Sequence, residues 1–462
     1  MSRRLALWLS LVLALAAPPA ATAHADFQAS EPAPGSAVAE PPATVRVALA
    51  TEVEGEFLLL EVVGPSGRVV SGPARRDPDD AAAVLAPLRA DGPGSYGVTW
   101  RVMSRDGHPD SGSFVFGVGG LPQASAPAAP GHGDADPLAV LARFLLITGP
   151  IALLGLAALR LWIVGPAWSQ GGVRPPGADA SAVRAAAAGP LELSAPRWWR
   201  VWWGACVATA VGLALIPGVT LSALGAGAGD LGGLLSGTRF GVAWTVQVLA
   251  LLVAVAVALV WWRGSSADAP APPPWTAALV AAPAVALAAV SWLGHASQGA
   301  DPELGIAIDA VHSWASAVWL GGLVALSALL PTALSRMDDP ARTRLAAGVV
   351  VRFSAAAVAA VAIVLVTGVY RALVELDTLA DLLDTAYGRA LGVKLALVAL
   401  LLVGGAVNRF VVHPRLERAA LGLADDDRGA GRALRASVGA ELVLSAGVMV
   451  AVAALVSLAP PG

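Results

Sequence analysis

Three residues in the first quarter of the chain have groups that could bind a metal ion together, and the first of them is His24. Two arginines precede the apolar run of residues 5–17, and an Ala-x-Ala sequence ends at Ala23. This pattern predicts a secretory signal peptide over residues 1–23. Cleavage after Ala23 would make His24 the first residue of the mature chain, where its imidazole and free α-amino group form a bidentate chelate.

The other two residues, Asp106 and His108, flank a glycine in the sequence VMSRDGHPDSG. Glycine permits a tight turn there, so a carboxylate and an imidazole can point to one side of a loop. With His24 they supply three nitrogens and one oxygen, which suits Cu(II), with Ni(II) as a poorer second. The amine and imidazole lose their protons on binding, so the affinity should fall as the pH is lowered. The alternative is a polar surface turn that binds nothing.

Two further histidines lie at the edges of apolar runs in the second half of the chain. His295 is near the end of one run, and His312 is near the start of the next, three residues after Asp309. On a helix Asp309 and His312 share a face. If the two runs are antiparallel neighbours, both histidines lie at a similar depth. Ionisable groups within spans are costly, so these three residues are candidates for an ion pathway; the alternative is interfacial histidines hydrogen-bonded to backbone.

Three other ionisable residues give weaker signals for a function. His132 lies in a Pro/Ala/Gly-rich stretch, His413 precedes a proline near a basic loop, and Lys394 is the only lysine. Lys394 could pair with an acidic group or extend to the membrane interface. Structural roles are favoured for Lys394 and His413, and the role of His132 is left open.

The composition indicates that most of the chain is embedded in a membrane. Hydrophobic residues make up 56% and charged residues only 14%, against about 25% charged residues in soluble domains. The net charge of −3 gives no support for nucleic-acid binding. The single cysteine, Cys206, lies in an apolar run, so neither a disulfide nor a thiolate metal site is expected.

The elements that would position the first three residues are short strands. The runs 44–50, 57–63, 95–103 and 113–118 are rich in β-branched or aromatic residues and are separated by Pro, Gly and Asp clusters. Such spacing predicts an all-β sandwich. We place this domain at residues 24–120, followed by a Pro/Ala/Gly-rich linker over 121–137.

Residues 138–462 predict an all-α polytopic membrane domain. Eight apolar runs are each long enough to cross a bilayer. They cover about 138–163, 200–224, 240–262, 274–296, 306–332, 350–374, 388–412 and 436–458. Alternate loops are rich in arginine, whereas the opposite loops are acidic, and this bias agrees with an exported N-terminal domain. We therefore predict a multi-pass plasma-membrane protein whose N-terminal domain lies on the extracytoplasmic side.

The N-terminal motifs resemble the periplasmic copper-binding protein CopC. The similarity is carried by H-A-x-F-x-x-S-x-P-A-P-G-S at 24–36, P-x-T-V-R-V at 42–47 and the segment 96–118 with its Asp-Gly-His sequence. The resemblance implies a Greek-key β-sandwich of the Ig/cupredoxin type that binds Cu(II) through His24, Asp106 and His108. Some CopC proteins also have a methionine-rich Cu(I) site; with Met103 as the domain's one methionine, that site is not expected here.

The membrane motifs resemble the copper protein CopD. The similarity is carried by H-x-x-x-A-x-x-W-L-G-G-L at 312–323, V-V-R-F-S at 350–354, T-G-V-Y-R at 367–371, and residues 385–394 continuing to N-R-F at 408–410. A CopC-like domain before a CopD-like domain implies copper uptake.

The leading hypothesis is a non-enzymatic copper transporter in homeostasis or resistance. Its sandwich captures Cu(II), and copper, as Cu(I) or Cu(II), moves past His295 and His312. A copper chaperone or reductase is a candidate partner. The alternatives are a membrane haem or redox protein with those histidines as axial ligands, a copper-delivery factor or sensor with a membrane anchor, and an oxidase using the His24 chelate.

Overall fold

The computed structural model comprises a β-sandwich seated on a helical bundle. The structure describes residues 27–123, 125–126, 136–164, 180–264, 274–297, 301–333, 340–376, 378, 380–412, 414–415, 418 and 427–458. The predicted signal peptide, with His24, His132, His413 and most of the predicted linker, lies outside these residues.

Eight strands form two four-stranded sheets. Their bounds are β1 Phe27–Glu31, β2 Ala37–Val38, β3 Thr44–Leu49, β4 Leu59–Val63, β5 Arg75–Arg76, β6 Ala83–Pro87, β7 Gly94–Met103 and β8 Pro109–Val118. One sheet has the order β1-β3-β6-β5 and the other β2-β8-β7-β4, so the chain crosses repeatedly between the sheets. The predicted all-β domain is confirmed, and each of the four predicted runs overlaps one of these strands, although β8 begins four residues before the run 113–118.

The longest hairpin, β7–β8, carries the Asp-Gly-His sequence in its turn. Alternate residues of β7, including Tyr96, Val98 and Trp100, are buried in one apolar core between the sheets, as expected for a half-buried strand. Pairing runs from Gly94 with Val118 to Met103 with Pro109. The core therefore fixes the base of the turn that holds Asp106 and His108.

Eight helical segments among the described residues are long and apolar enough to cross a membrane, as predicted. We name them spans 1 to 8: Pro137–Val164, Arg197–Leu224, Arg239–Arg263, Pro274–Trp292, Pro302–Ser327, Ala347–Glu375, Ala386–Val412 and Ala436–Leu455.

The helices that form these spans are longer at several ends and contain local irregularities. The α-helices are Pro137–Ala158, Ala180–Leu224, Leu231–Gly237, Arg239–Gly264, Ala278–Trp292, Pro302–Ser316, Gly322–Ala333, Pro340–Glu375, Asp381–Asp384, Ala386–Val407 and Asp427–Leu455. Spans 1, 5 and 7 each contain a π-helical turn, at Leu159–Val164, Ala317–Gly321 and Asn408–Val412. Such turns in α-helices frequently mark functional sites.

The structure corrects the expected end of span 4 and the depth of His295. The α-helix ends at Trp292, because Leu293 is extended and Gly294 has a φ of +99°. His295 begins a separate 3₁₀ turn, His295–Ser297, at the end of the bundle. His312 lies within the helix of span 5, so the two histidines are not at similar depth.

The sandwich contacts the bundle through β7, β8 and the segment that precedes β4. Met103, fully buried at the end of β7, shares an apolar cluster with side chains from spans 1 to 3 and the helix between spans 2 and 3. The buried members from the bundle are Ala142, Ile216, Leu221, Leu224, Leu234 and Phe240. In the same contact, Arg101 lies against Gly225, and Phe57 packs at the edge of the cluster. The one methionine of the sandwich is thus a docking residue.

Candidate functional site

The turn between β7 and β8 holds Asp106 and His108 close together. The backbone N–H of Ser104 donates to the carbonyl of His108 at 2.9 Å, and that of Gly107 donates to Ser104 at 2.9 Å. Gly107 has a φ of +82°, a conformation that favours glycine. The Asp106 carboxylate accepts the N–H of His108 at 3.2 Å. The turn therefore points both side chains to one side, as the sequence predicted.

Asp106 and His108 form a pair of donors suited to a metal ion. Asp106 Oδ2 lies 3.1 Å from His108 Nδ1, and the Asp106 side chain is only 3% exposed while that of His108 is 23% exposed. Within the described residues no group of three metal-binding side chains occurs. A carboxylate oxygen and an imidazole nitrogen fit the donor chemistry of Cu(II). These two residues would supply part of the copper site, and His24 is the predicted remainder.

The same turn rests on the end of span 4. The N–H of Gly294 donates to the carbonyl of Asp106 at 2.9 Å, and a β-carbon placed on Gly107 would lie 2.9 Å from Leu293 Cδ2. His295 directly follows Gly294 in the chain. The candidate ligands of the sandwich and the candidate entry residue of the bundle are therefore neighbours in space.

A polar bridge at the start of span 3 supports this contact. The N–H of Arg239 donates to Glu54 Oε1 at 3.1 Å, its guanidinium donates to the carbonyl of Trp292 at 3.3 Å, and its Cζ lies 4.4 Å from the centre of the Trp292 ring. Arg239 also lies within electrostatic range of Asp106. One arginine thus ties the sandwich to the end of span 4.

Deeper in the bundle, His312 is oriented by Thr367 of span 6. His312 Nδ1 lies 2.9 Å from Thr367 Oγ1. Thr367 in turn donates its hydroxyl hydrogen to the carbonyl of Ile363 at 2.6 Å. Because that hydrogen is committed, Oγ1 accepts from Nδ1–H, and His312 Nε2 keeps its lone pair. His312 can therefore bind a metal through Nε2.

Asp309 belongs to a charged cluster that joins spans 5, 6 and 7. Its carboxylate accepts from Arg371 at 2.6 Å. Arg371 also pairs with Glu375, which accepts the hydroxyl of Tyr387. Lys394 lies within electrostatic range of Glu375, Asp309 and His312. Asp309 and His312 share one face of span 5, as predicted. Their partners on span 6, Arg371 and Thr367, are four residues apart, which is about one helical turn.

The cluster members Arg371, Glu375 and Tyr387 were not predicted as site residues. Glu375 is one of the acidic residues of the predicted loop after span 6, and Arg371 is the last residue of the T-G-V-Y-R motif at 367–371. Their position within spans or at span ends was the available signal, since ionisable groups there are rare.

Three family models match the chain. They are the CopC domain over residues 27–119, the copper resistance protein D-like N-terminal domain over 134–306, and copper resistance protein D over 347–455. The copper transport protein CutJ of Bacillus subtilis is 28% identical over 414 residues, which are 87% of this chain and 70% of CutJ. Protein YobA of Escherichia coli K12 is 33% identical over 103 residues, 22% of this chain and 82% of YobA. The crystal structure of CopC from Methylosinus trichosporium OB3b is 25% identical and covered in full by 22% of this chain, with a TM-score of 0.20.

Proposed function

The chain belongs to the copper resistance and transport family in which a CopC domain is joined to the domains of copper resistance protein D, and from this premise we propose that it captures Cu(II) on its sandwich and passes copper through its eight spans. Both resemblances predicted from the motifs are confirmed. The family is one of copper transport and resistance proteins and not an enzyme family, and eight apolar helices indicate a multi-pass membrane protein.

The observation that carries the proposal is the docking of the Asp106–His108 turn on the end of span 4. A Cu(II) ion bound by His24, Asp106 and His108 would be held beside Gly294 and His295. Copper transfer between proteins proceeds by exchange of ligands, which requires the two sets of donors to approach closely. In this arrangement His295 is the first ligand of the bundle to which the ion passes.

The next ligand on the proposed path is His312. The carbonyl of Ala296 approaches the first turn of span 5 at Gly305, where a β-carbon would collide with it. His312 is seven residues further along the same helix, which places it about 10 Å deeper. Asp309 lies between these two levels, although its carboxylate is engaged by Arg371.

The direction we propose is from the sandwich side into the cell, with the N-terminal domain outside, in agreement with the arginine bias of the loops. Transport as Cu(II) needs no electron. Transport as Cu(I) requires a one-electron reductant on the exported side, which makes a reductase the expected partner in that case. A chaperone that receives copper on the inner side is the other partner of this proposal.

A disulfide between the sandwich and the bundle tests whether copper passes from one to the other while the sandwich stays docked on the bundle. A β-carbon on Gly237 would lie 3.0 Å from Glu56 Cγ, and about 3 Å separates Cβ of one cysteine from the sulfur of the other in a disulfide. Glu56→Cys with Gly237→Cys should therefore cross-link without moving either part, and away from the copper ligands. We expect the oxidised variant, reconstituted in liposomes, to accumulate copper at about the wild-type rate.

Each single cysteine variant is the control for this measurement, because it introduces a thiol without the cross-link. Accumulation that stops only in the oxidised double variant, and returns on reduction, would contradict transfer in the docked state. Equal accumulation by liposomes with and without the protein would contradict transport itself.

Thr367 provides a separate test of His312 as a ligand. Replacing Thr367 by Val removes the acceptor that orients the imidazole, and loss of such a partner typically lowers metal affinity by about 10–100-fold. We expect that loss for copper bound to the bundle of the full chain, measured in a His108→Ala background that disables the sandwich site. Thr367→Ser keeps the hydroxyl and should retain the affinity.

The matched control for this variant is Thr220→Val, which removes from span 2 another buried hydroxyl that donates to the carbonyl four residues earlier, at 2.9 Å. It should leave copper affinity unchanged. Wild-type affinity in Thr367→Val would show that Thr367 does not position a ligand.

A further inference from the structure

Glu441 is a buried carboxyl group in the half of the bundle away from the sandwich. It is the one charged residue of span 8, Ala436–Leu455, and is 5% exposed. The opposite end of that helix is near the sandwich, because Ser457 just beyond it accepts from Arg143, whose neighbour Ala142 packs in one apolar cluster with Met103. Glu441 is fourteen residues before Leu455, so it lies about 20 Å from that end.

Two side chains donate hydrogen bonds to the same oxygen of Glu441. Asn408 Nδ2 lies 2.6 Å from Oε1, and Ser437 Oγ lies 3.4 Å from it. Gly404 of span 7 packs against the side chain, with a β-carbon there placed 3.5 Å from Glu441 Cγ. The carboxyl group therefore faces span 7 and not the lipid.

Among the side chains that the structure describes, no cation forms an ion pair with Glu441; the side chains of Arg428, Arg432 and Arg435, earlier on the same helix, lie outside that set. Three basic side chains on the neighbouring spans are engaged elsewhere. Arg143 binds Ser457, Arg160 lies over the Trp261 ring at 5.8 Å, and Lys394 belongs to the cluster with Glu375. The side chain of Arg409, which follows Asn408 in the chain, is exposed on the outside of the bundle.

A charged carboxylate in such surroundings is costly unless a cation or a proton neutralises it. The oxygen and amide donors around Glu441 are hard ligands, which are poorly suited to Cu(I). A proton is the cation that a lone carboxyl group binds best.

Asn408 can serve a carboxyl group in both protonation states. It begins the π-helical turn of span 7, and its Oδ1 is buried with no hydrogen-bond partner within the described part of the chain. Its Nδ2 donates to the ionised carboxylate. If the amide rotates by about 180°, Oδ1 instead accepts the O–H of a protonated carboxyl, because the two amide groups have complementary roles. The orphaned acceptor therefore has a role only when Glu441 carries a proton.

We propose that Glu441 is a proton-binding site within the membrane and that Asn408 is its partner in both protonation states. This site is additional to the copper pathway and does not depend on it, since neither residue lies in the His295–His312 region. The ligand of this site is a proton, which binds to and leaves the Glu441 carboxyl group in the half of the bundle away from the sandwich.

Infrared difference spectroscopy of the full chain in lipid bilayers tests the proposal. We expect a protonated carboxyl C=O band at neutral pH that is lost in Glu441→Gln and shifts in Asn408→Leu, in which a hydrogen-bond partner is removed. Glu441→Asp keeps a carboxyl group and should keep a shifted band, which separates loss of the proton site from misfolding. Glu303→Gln, at an exposed acid in the first turn of span 5, is the matched control and should keep the band unshifted.

Two results would overturn the proposal. One is a neutral-pH spectrum in which Glu441→Gln removes no protonated carboxyl band. The other is an ionised carboxylate band, lost in the same variant, that shifts when sodium or copper ions are added at constant pH. Neither readout uses copper transport, so failure here is distinct from failure of the proposed function.

Discussion

Adding one residue before His24 in the mature chain should lower the affinity for Cu(II) by at least about 100-fold, because loss of a partner outside the ligand shell alone costs about 10–100-fold. The extension moves the α-amino group away from the imidazole and converts a chelate into a single nitrogen ligand. Asp106 and His108 are held by the β7–β8 turn and are unaffected by the change. The measurement is a competition titration of the full chain with a Cu(II) chelator, after mass spectrometry has established the first residue of each mature protein.

The pH dependence of the same affinity gives an independent check. Cu(II) binding by the native terminus displaces protons from the amine and the imidazole, so the affinity rises with pH and is lost as the pH falls. Cu(II) binding to the extended chain no longer displaces a proton from the amine, so its Cu(II) affinity should change less steeply with pH. One residue inserted into the segment 121–137 is the control, because it lengthens the chain equally without touching the terminus. An extended protein with wild-type affinity and the same pH dependence would remove His24 from the site.

Local patterns predicted the elements of this fold, because each pattern has a local cause. The apolar runs of the membrane domain are as long as a bilayer is thick, and eight of them were recognised. Alternation of buried residues in β7 made that strand evident. The strands β1, β2, β5 and β6 were missed, since β2 and β5 are only two residues long, β1 is mostly polar, and β6 contains two alanines and a proline.

The docking of the sandwich on the bundle could not be predicted from local patterns. The contact between Asp106 and Gly294 joins residues almost two hundred positions apart, and neither residue type signals a partner. The prediction that His295 and His312 lie at a similar depth was wrong for a related reason. The extended Leu293 and the positive φ of Gly294 end the helix of span 4 early, and His295 begins a separate 3₁₀ turn.

The ionisable residues inside the spans were only partly used. Asp309 and His312 were selected because they share a helix face, whereas Arg371 and Glu375 were read as part of a motif or a loop. Glu441 was overlooked, although a lone acid in an apolar span is a signal in its own right. What the sequence lacked was the partner, Asn408, which reaches Glu441 from a different span.

Replacing His312 by Ala should reduce copper accumulation in proteoliposomes to that of liposomes without protein. His312 is the one histidine placed inside a span among the described residues, and its Nε2 is the imidazole nitrogen that Thr367 leaves unprotonated. Removing it leaves only Asp309 on that face, whose carboxylate is already bound to Arg371. The next step beyond His295 would therefore have no nitrogen ligand. Copper uptake by the purified, reconstituted full chain is the measurement.

His132→Ala is the matched control, because it removes a histidine from the linker segment and should leave uptake unchanged. Cu(II) affinity of the sandwich should also be unchanged in His312→Ala, which shows that the exported site is intact. His312→Met distinguishes the oxidation state, since a thioether suits Cu(I) and not Cu(II); uptake restored by Met would indicate that Cu(I) passes this point. Uptake that persists in His312→Ala would exclude the residue from the path. A haem absorption band in the wild type that disappears in this variant would instead make His312 an axial ligand.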